Sequence, residues 1–311
     1  THSPTADLGA SVATSALEQY KIRLHLSCYP LSVGQRTQDW FAARRFTLTG
    51  SSASTFISHA KKVQDAQVAV RVSEARWRSN STQDKAKHDA DAATASASAV
   101  VDKAFEFALK CWFDNSRRSS RAMLAGHRNE PQVTSAIKQR DYVLAWTEMG
   151  VMSYLHDPAL SVSPDGGGVL VDAVAQRQLV QRVMDAIVSG TQLSMVEGLH
   201  ASVADITPDD HTPLDIVNTY GMLERLYVTG EIKTVVAPKS VCEARTRHRQ
   251  GVALAKTLEA NTSSWLYDTV TSTFRCTFGD DLFNTVVPAS HRSQLAHAII
   301  VTGMDGVLYT V

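Results

Sequence analysis

Gly230-Glu231-Ile232-Lys233-Thr234 sets an acid and a lysine two residues apart in a strand-like stretch. Strand side chains alternate, so Glu231 and Lys233 share one face while Ile232 turns to the other, into the core. Upstream, Ser163-Pro164-Asp165-Gly166 ends a strand in a Pro- and Gly-framed turn that projects a carboxylate. Hydrolysis of a phosphodiester needs a divalent cation held by hard oxygens, to activate water and to neutralise charge on the phosphate. Asp165, Glu231 and the backbone carbonyl of Ile232 can supply those oxygens. Lys233 can position or deprotonate the attacking water, or stabilise the pentavalent transition state. Taken singly, an ExK strand is more often a solvated salt-bridge face, and an SPDG only a turn. The order in which the pieces occur carries the argument.

That order extends along the chain. Trp40 is followed four residues on by Arg44, and Thr49-Gly50-Ser51 ends on a serine eleven past the tryptophan. Gly126-His127-Arg128-Asn129-Glu130-Pro131 looks like a helix bearing a first acid, and the aspartate and ExK motifs follow it. Ser293-Gln294-Leu295-Ala296-His297, then Val301-Thr302-Gly303, reads as a glutamine-bearing helix. As a set these five motifs resemble those of the YqaJ-like viral recombinases, the phage lambda exonuclease-like family within the PD-(D/E)XK nuclease superfamily.

The resemblance implies an α/β fold with a PD-(D/E)XK restriction-endonuclease-like core, a mixed central sheet flanked by helices and carrying helical insertions. It implies a Mg2+-dependent deoxyribonuclease, with Mn2+ able to substitute. The metal would be held by Asp165, Glu231 and the Ile232 carbonyl, with Glu130 contributing directly or through water. Lys233 would be the catalytic lysine, and Gln294 would orient the lysine or the water. Arg44 and Ser51 would hold a terminal 5′-phosphate, favouring a 5′-to-3′ exonuclease on duplex DNA ends with a role in recombination or repair. An arginine fork beside a hydroxyl suits a phosphate dianion. Outside that context Trp40 reads as core packing and Arg44 as a surface salt bridge. The family also implies a homo-oligomer, a ring of three.

Two departures from the pattern stand out. Asp165 and Glu231 lie 66 residues apart (231 − 165), far more than a short hairpin. Thr234-Val235 replaces the Cys-Pro that usually follows the lysine. They motivate a second reading, a non-catalytic nucleic-acid-binding or scaffold module that keeps the nuclease fold.

The elements that must position these residues follow from periodicity. Residues 1–20, rich in Ser, Thr and Ala, read as a flexible lead-in or frayed helix, and Ile22 to Leu26 alternates like a short strand. Helical patterns run from Thr55 to about Trp77 and from Val100 to Phe113. Between them, 78–99 is polar and low in complexity, a mobile insertion or solvated helix. A helix is expected from Gly126 to about Trp146, then strand, turn and strand from Leu160 to Val171. A helical pattern covers 172–200 and a strand covers Leu226 to Val236. Ser290 to Thr302 is a helix and 307–311 a terminal strand. One domain over 1–311 is expected, with insertions at 78–99 and 172–225 and a truncated C-terminus.

The 31 basic residues equal the 31 acidic ones in this 311-residue chain, so net charge gives no nucleic-acid footprint. A DNA partner needs a local patch. Arg117, Arg118, Arg121 and Arg128 lead into Glu130, and Arg245, Arg247 and Arg249 follow the ExK strand; if they converge they can track a DNA backbone, and otherwise they are solvated faces. Cys28, Cys111, Cys242 and Cys276 form no CxxC pair, which points to reduced thiols in an intracellular setting, nucleus or cytoplasm. No apolar run reaches the roughly 18–20 residues of a membrane span, and no signal-peptide pattern opens the chain. A first residue other than Met, and a strand-like run at Val311, suit a processed product or a fragment. His127, His156, His200, His211 and His297 show no HExxH spacing and read as structural or solvent-facing.

Overall fold

The computed structural model describes residues 4–30, 37–79, 84–113, 121–233, 267–268, 273–276, 287 and 289–310. Among the described residues the protein is a mixed α/β structure with two sheets and several helices. The larger sheet has the order β3-β6-β7-β10-β9-β8, formed by β3 (Val143–Thr147), β6 (Gly166–Val171), β7 (Arg225–Ile232), β8 (Tyr267–Asp268), β9 (Thr273–Cys276) and β10 (Gly306–Thr310). Strand β6 runs antiparallel to both neighbours, whereas β10 runs parallel to β7.

Alternation along the central strands divides their side chains between two buried faces. On one face Trp146, Leu170, Val228 and Leu308 meet Ile137 of helix α5 (Arg121–Lys138), with Ile232 packed against them. On the other face Ala145, Val169 and Val171 meet Ala16, Tyr20 and Leu24 of helix α1 (Pro4–His25) and Ala298 and Val301 of helix α8 (Ala289–Thr302). The same cluster takes in Met152 and Val162 of the smaller sheet, whose order is β1-β4-β5-β2. Its strands are β1 (Cys28–Pro30), β2 (Leu48–Thr49), β4 (Met152–Tyr154) and β5 (Leu160–Val162). Only Ser163, Pro164 and Asp165 separate β5 from β6, so the aspartate motif is the joint between the two sheets.

Two expectations give way here. The alternating run at Ile22 to Leu26 is the end of α1, not a strand, because Ala16, Tyr20 and Leu24 recur at helical spacing and are buried while Ile22 and Leu26 are exposed. The N-terminal residues from Pro4 onward belong to that helix, in keeping with the helical of the two readings of residues 1–20. The helix expected as far as Trp146 stops at Lys138. A turn closed by Val143 N–H to the Arg140 carbonyl at 2.9 Å redirects the chain into β3.

Helices α3 (Gly50–Ser79) and α4 (Asp84–Phe113) pack side by side as a long helical pair. His59 near the start of α3 stacks on Phe107 near the end of α4, 5.1 Å between ring centres, so the helices are antiparallel. The more buried positions repeat at alternating steps of four and three: His59, Val63, Ala66, Val70 and Ser73 on α3, and Ala86, Ala90, Ala93, Ala97, Val100 and Ala104 on α4. That is a heptad seam, and its small alanines suit closely packed helices. Within the expected insertion, residues 84–99 are thus one half of a two-helix coiled coil, solvated on its outer side.

Residues between β6 and β7 leave the sheet and return to it. Helix α6 (Ala173–Ser189) is capped by Asp172 and ends at left-handed Gly190, short of the expected residue 200. Three short 3-10 turns then lead to helix α7 (Pro213–Tyr220), opened by a Thr212–Asp215 capping box. Leu179, Val183, Leu193, Leu199, Val203, Ile216 and Val217 give this segment its own apolar cluster. The long separation of Asp165 from Glu231 is taken up there, and β6 still pairs β7 from Gly166↔Gly230 to Val171↔Arg225. Among the described residues, no helix is long and apolar enough to cross a membrane.

Candidate active site

The register Gly166↔Gly230 puts Asp165 beside the end of β7. Both glycines are needed for close approach. The Trp146 ring lies against them, so that a Cβ on Gly166 would sit 2.6 Å from the indole, and one on Gly230 would also overlap it. With the indole filling that side, Asp165 turns back across the strand end. Its backbone N–H donates to the Gly230 carbonyl at 3.0 Å, and its Oδ2 accepts the Ile232 N–H at 2.7 Å.

Glu231 is 5% exposed and lies on the opposite face of β7 from Ile232. Lys233 Nζ donates to Glu231 Oε1. Gln294 Nε2, from α8, donates to the same oxygen at 2.5 Å. The Lys233 backbone N–H is fixed by the Thr310 carbonyl of β10 at 2.7 Å, so the lysine is still held in the sheet where β7 ends.

Burial pushes the Asp165 carboxyl well above its ordinary range, and the Glu231 charge pushes it further. The Ile232 N–H pulls the other way, Glu130 raises it again, and Lys233 lowers it. Asp165, Glu231, Glu130 and Lys233 therefore share one electrostatic neighbourhood. Glu130 reaches it from α5, where Glu130, Val133, Thr134 and Ile137 recur at helical spacing on the half-buried and buried side. Pro131 inside α5 has no N–H to offer the carbonyl four residues back, so one bond of the helical ladder is absent beside Glu130.

Among the described residues, no three His, Cys, Asp or Glu side chains stand close enough together to enclose a metal ion. The two-carboxylate set still fits Mg2+, which keeps several waters and takes one or two protein carboxylates. Two neighbouring carboxylates, one of them costly to ionise, gain from a cation between them. The contacts above engage Oε1 of Glu231 and Oδ2 of Asp165.

The opening motif is tied to the same turn. Trp40, in the short helix α2 (Gln38–Ala43), donates its indole N–H to Ser163 Oγ at 3.0 Å. The Arg44 guanidinium lies 4.1 Å from the centre of the Trp40 ring. Trp40 is half-buried and acts as a link between helix and aspartate turn, not as a core filler. Phe46, in the left-handed region at φ 60°, turns the chain into β2. The hydroxyls of Thr47 and Ser161 meet at 2.6 Å. Gly50, opening α3, faces Gln294: a Cβ there would lie 3.2 Å from Gln294 Cγ. Buried His297 hydrogen-bonds the Ser161 carbonyl at 2.9 Å. Its pKa is lowered by burial, against the backbone bonds to Ser161 and Leu48, which makes it a structural clamp.

The arginine patch is described only in part. Arg128 is exposed on α5. The side chains of Ser51, Arg121 and His127 lie outside the described residues, as do Arg117, Arg118, Arg245, Arg247, Arg249 and the Thr234-Val235 pair. His291 and Tyr309 were not picked out by the sequence; their hydrogen bond at 2.7 Å joins α8 to β10 beside Lys233. The available signal was spacing, since His291 precedes Gln294 by three residues, about one helical turn. Compared with known proteins, the chain matches no family model, no curated protein and no solved structure.

Proposed function

We propose that the protein is a metal-dependent nuclease with a PD-(D/E)XK core, hydrolysing phosphodiester bonds of DNA. The observation that carries this reading is the Asp165–Glu231–Lys233–Gln294 cluster where β6 and β7 meet, with Glu130 acting on it from α5. Mg2+, with Mn2+ as substitute, would be held by Asp165, Glu231 and the Ile232 carbonyl, with Glu130 near. The cation would supply charge neutralisation at the phosphate and a more acidic water.

The protein's own groups do the rest. Gln294 and Lys233 hold the Glu231 carboxylate in one orientation. Lys233, half-buried, can position the attacking water or stabilise charge on the phosphoryl oxygens. Arg44, stacked on Trp40, is the natural group to receive a 5′-phosphate, with Ser51 as its partner hydroxyl. An exonuclease on duplex ends, serving recombination or repair, follows from that pair, whereas cleavage itself needs only the β6–β7 cluster.

The test is incubation of the purified protein with end-labelled linear duplex and Mg2+. Cleavage that disappears on chelation and in Lys233→Ala is expected. Duplex binding without cleavage would leave the protein as a binding or scaffold module on a nuclease fold.

A further inference from the structure

We propose that His291 is a phosphate-binding residue of this site, donating a hydrogen bond from Nε2 to a non-bridging oxygen of the scissile or adjacent phosphate. The proposal rests on the nuclease reading above. It is carried by the placement of His291 and by the group behind it.

His291 lies on α8 one turn before Gln294, on the stripe that continues through Ala298 and Val301 into the core. Gln294 touches Glu231, so the turn before it projects toward the open end of β7, where Lys233 lies. His291 is half-buried there, within the electrostatic reach of the Lys233 ammonium. Behind it stands Tyr309, 1% exposed and paired in the parallel register with Glu231. The Tyr309 hydroxyl and His291 Nδ1 are 2.7 Å apart. With the hydroxyl donating, Nδ1 accepts and the ring proton resides on Nε2. Burial and Lys233 both favour the uncharged ring. The imidazole then offers one oriented N–H donor beside an ammonium, a pair suited to two oxygens of one phosphate.

The experiment measures equilibrium binding of a short fluorescein-labelled duplex in Ca2+, and cleavage of the same duplex in Mg2+, for the wild type and three variants. In His291→Gln the amide nitrogen occupies the place of Nε2; in His291→Asn the amide reaches only the place of Nδ1. The proposal expects His291→Gln to retain near wild-type affinity, while His291→Ala and His291→Asn both weaken binding by about tenfold. Wild-type affinity in His291→Asn, or in His291→Ala, would overturn it, because the bond to Tyr309 alone, or neither bond, would then matter. Equal losses in all three variants would also overturn it, by assigning His291 to structure. If the wild type itself neither binds nor cleaves the duplex, the nuclease reading fails and this proposal with it. A wild type that cleaves beside an unaffected His291→Ala removes this proposal alone.

Discussion

The carboxylate of Asp165 accepts the backbone N–H of Ile232 at 2.7 Å, across the end of the strand that carries Glu231 and Lys233. A side chain from the joint between the sheets thereby completes the last rung of the β6–β7 ladder. The aspartate and the ExK motif are one mechanical unit despite the long helical segment between them.

Asp165 carries a cost that is measurable without any substrate. Its carboxyl is raised by burial and by Glu231, so the folded state favours the protonated form. The associated stability is present below the ordinary value of 3.8 and is lost as pH rises toward the folded value. Asp165→Asn, which cannot ionise, should raise the metal-free melting temperature at neutral pH by about 2–4 °C. The difference should close as pH approaches 3.8. Calorimetric melts of both proteins across pH, in chelator, make the comparison.

Gly230 has no room for a methyl group because the Trp146 ring lies against it. Gly230→Ala should cost roughly 1–3 kcal/mol of stability, as overpacking does. The same change disturbs the Gly166↔Gly230 register that sets Asp165 beside β7, so cleavage should fall more than the melting point alone implies. Urea titration together with initial rates separates the two effects.

Trp40 binds Ser163 through its indole N–H and faces Arg44 with its ring. Trp40→Phe removes the first contact and keeps a ring for the second, at a cost of about 1 kcal/mol. Preference for a 5′-phosphorylated over a 5′-hydroxyl duplex end should shrink in Trp40→Phe and vanish in Arg44→Ala. A change in total cleavage with the preference intact would separate this helix from end recognition.

His297 is buried uncharged, its pKa lowered from 6.5 by burial. The unfolded chain therefore takes up the proton first, and stability held above 6.5 is lost as pH falls below it. His297→Gln keeps an N–H for the Ser161 carbonyl but does not titrate. Its chemical-denaturation midpoint should be flatter than the wild type's between about pH 6.5 and 5.

Much of the candidate site was legible because it is local. The alternation of Glu231, Ile232 and Lys233, the framed turn at Asp165 and the helix carrying Gln294 each follow from periods of two or 3.6 residues. What was missed depends on partners. Nothing between Lys138 and Val143 is Gly or Pro, so the break between α5 and β3 has no local marker. The alanines of α4 register weakly as apolar, and their heptad order emerges only against Val63, Ala66 and Val70 of α3. Leu24 alternates with Ile22 and Leu26, yet Ala16 and Tyr20 beneath the sheet decide its helix. Tyr309 gains its role from His291, which the fold brings beside it.

Titration of Mg2+ by calorimetry into the wild type, Asp165→Asn, Glu231→Gln and Lys233→Ala tests the central claim most directly. The account predicts saturable binding in the wild type, its loss in both carboxylate variants, and binding at least as tight in Lys233→Ala, where a competing positive charge is gone. Binding that persists unchanged in both carboxylate variants, or a wild type that takes up no cation, would contradict it.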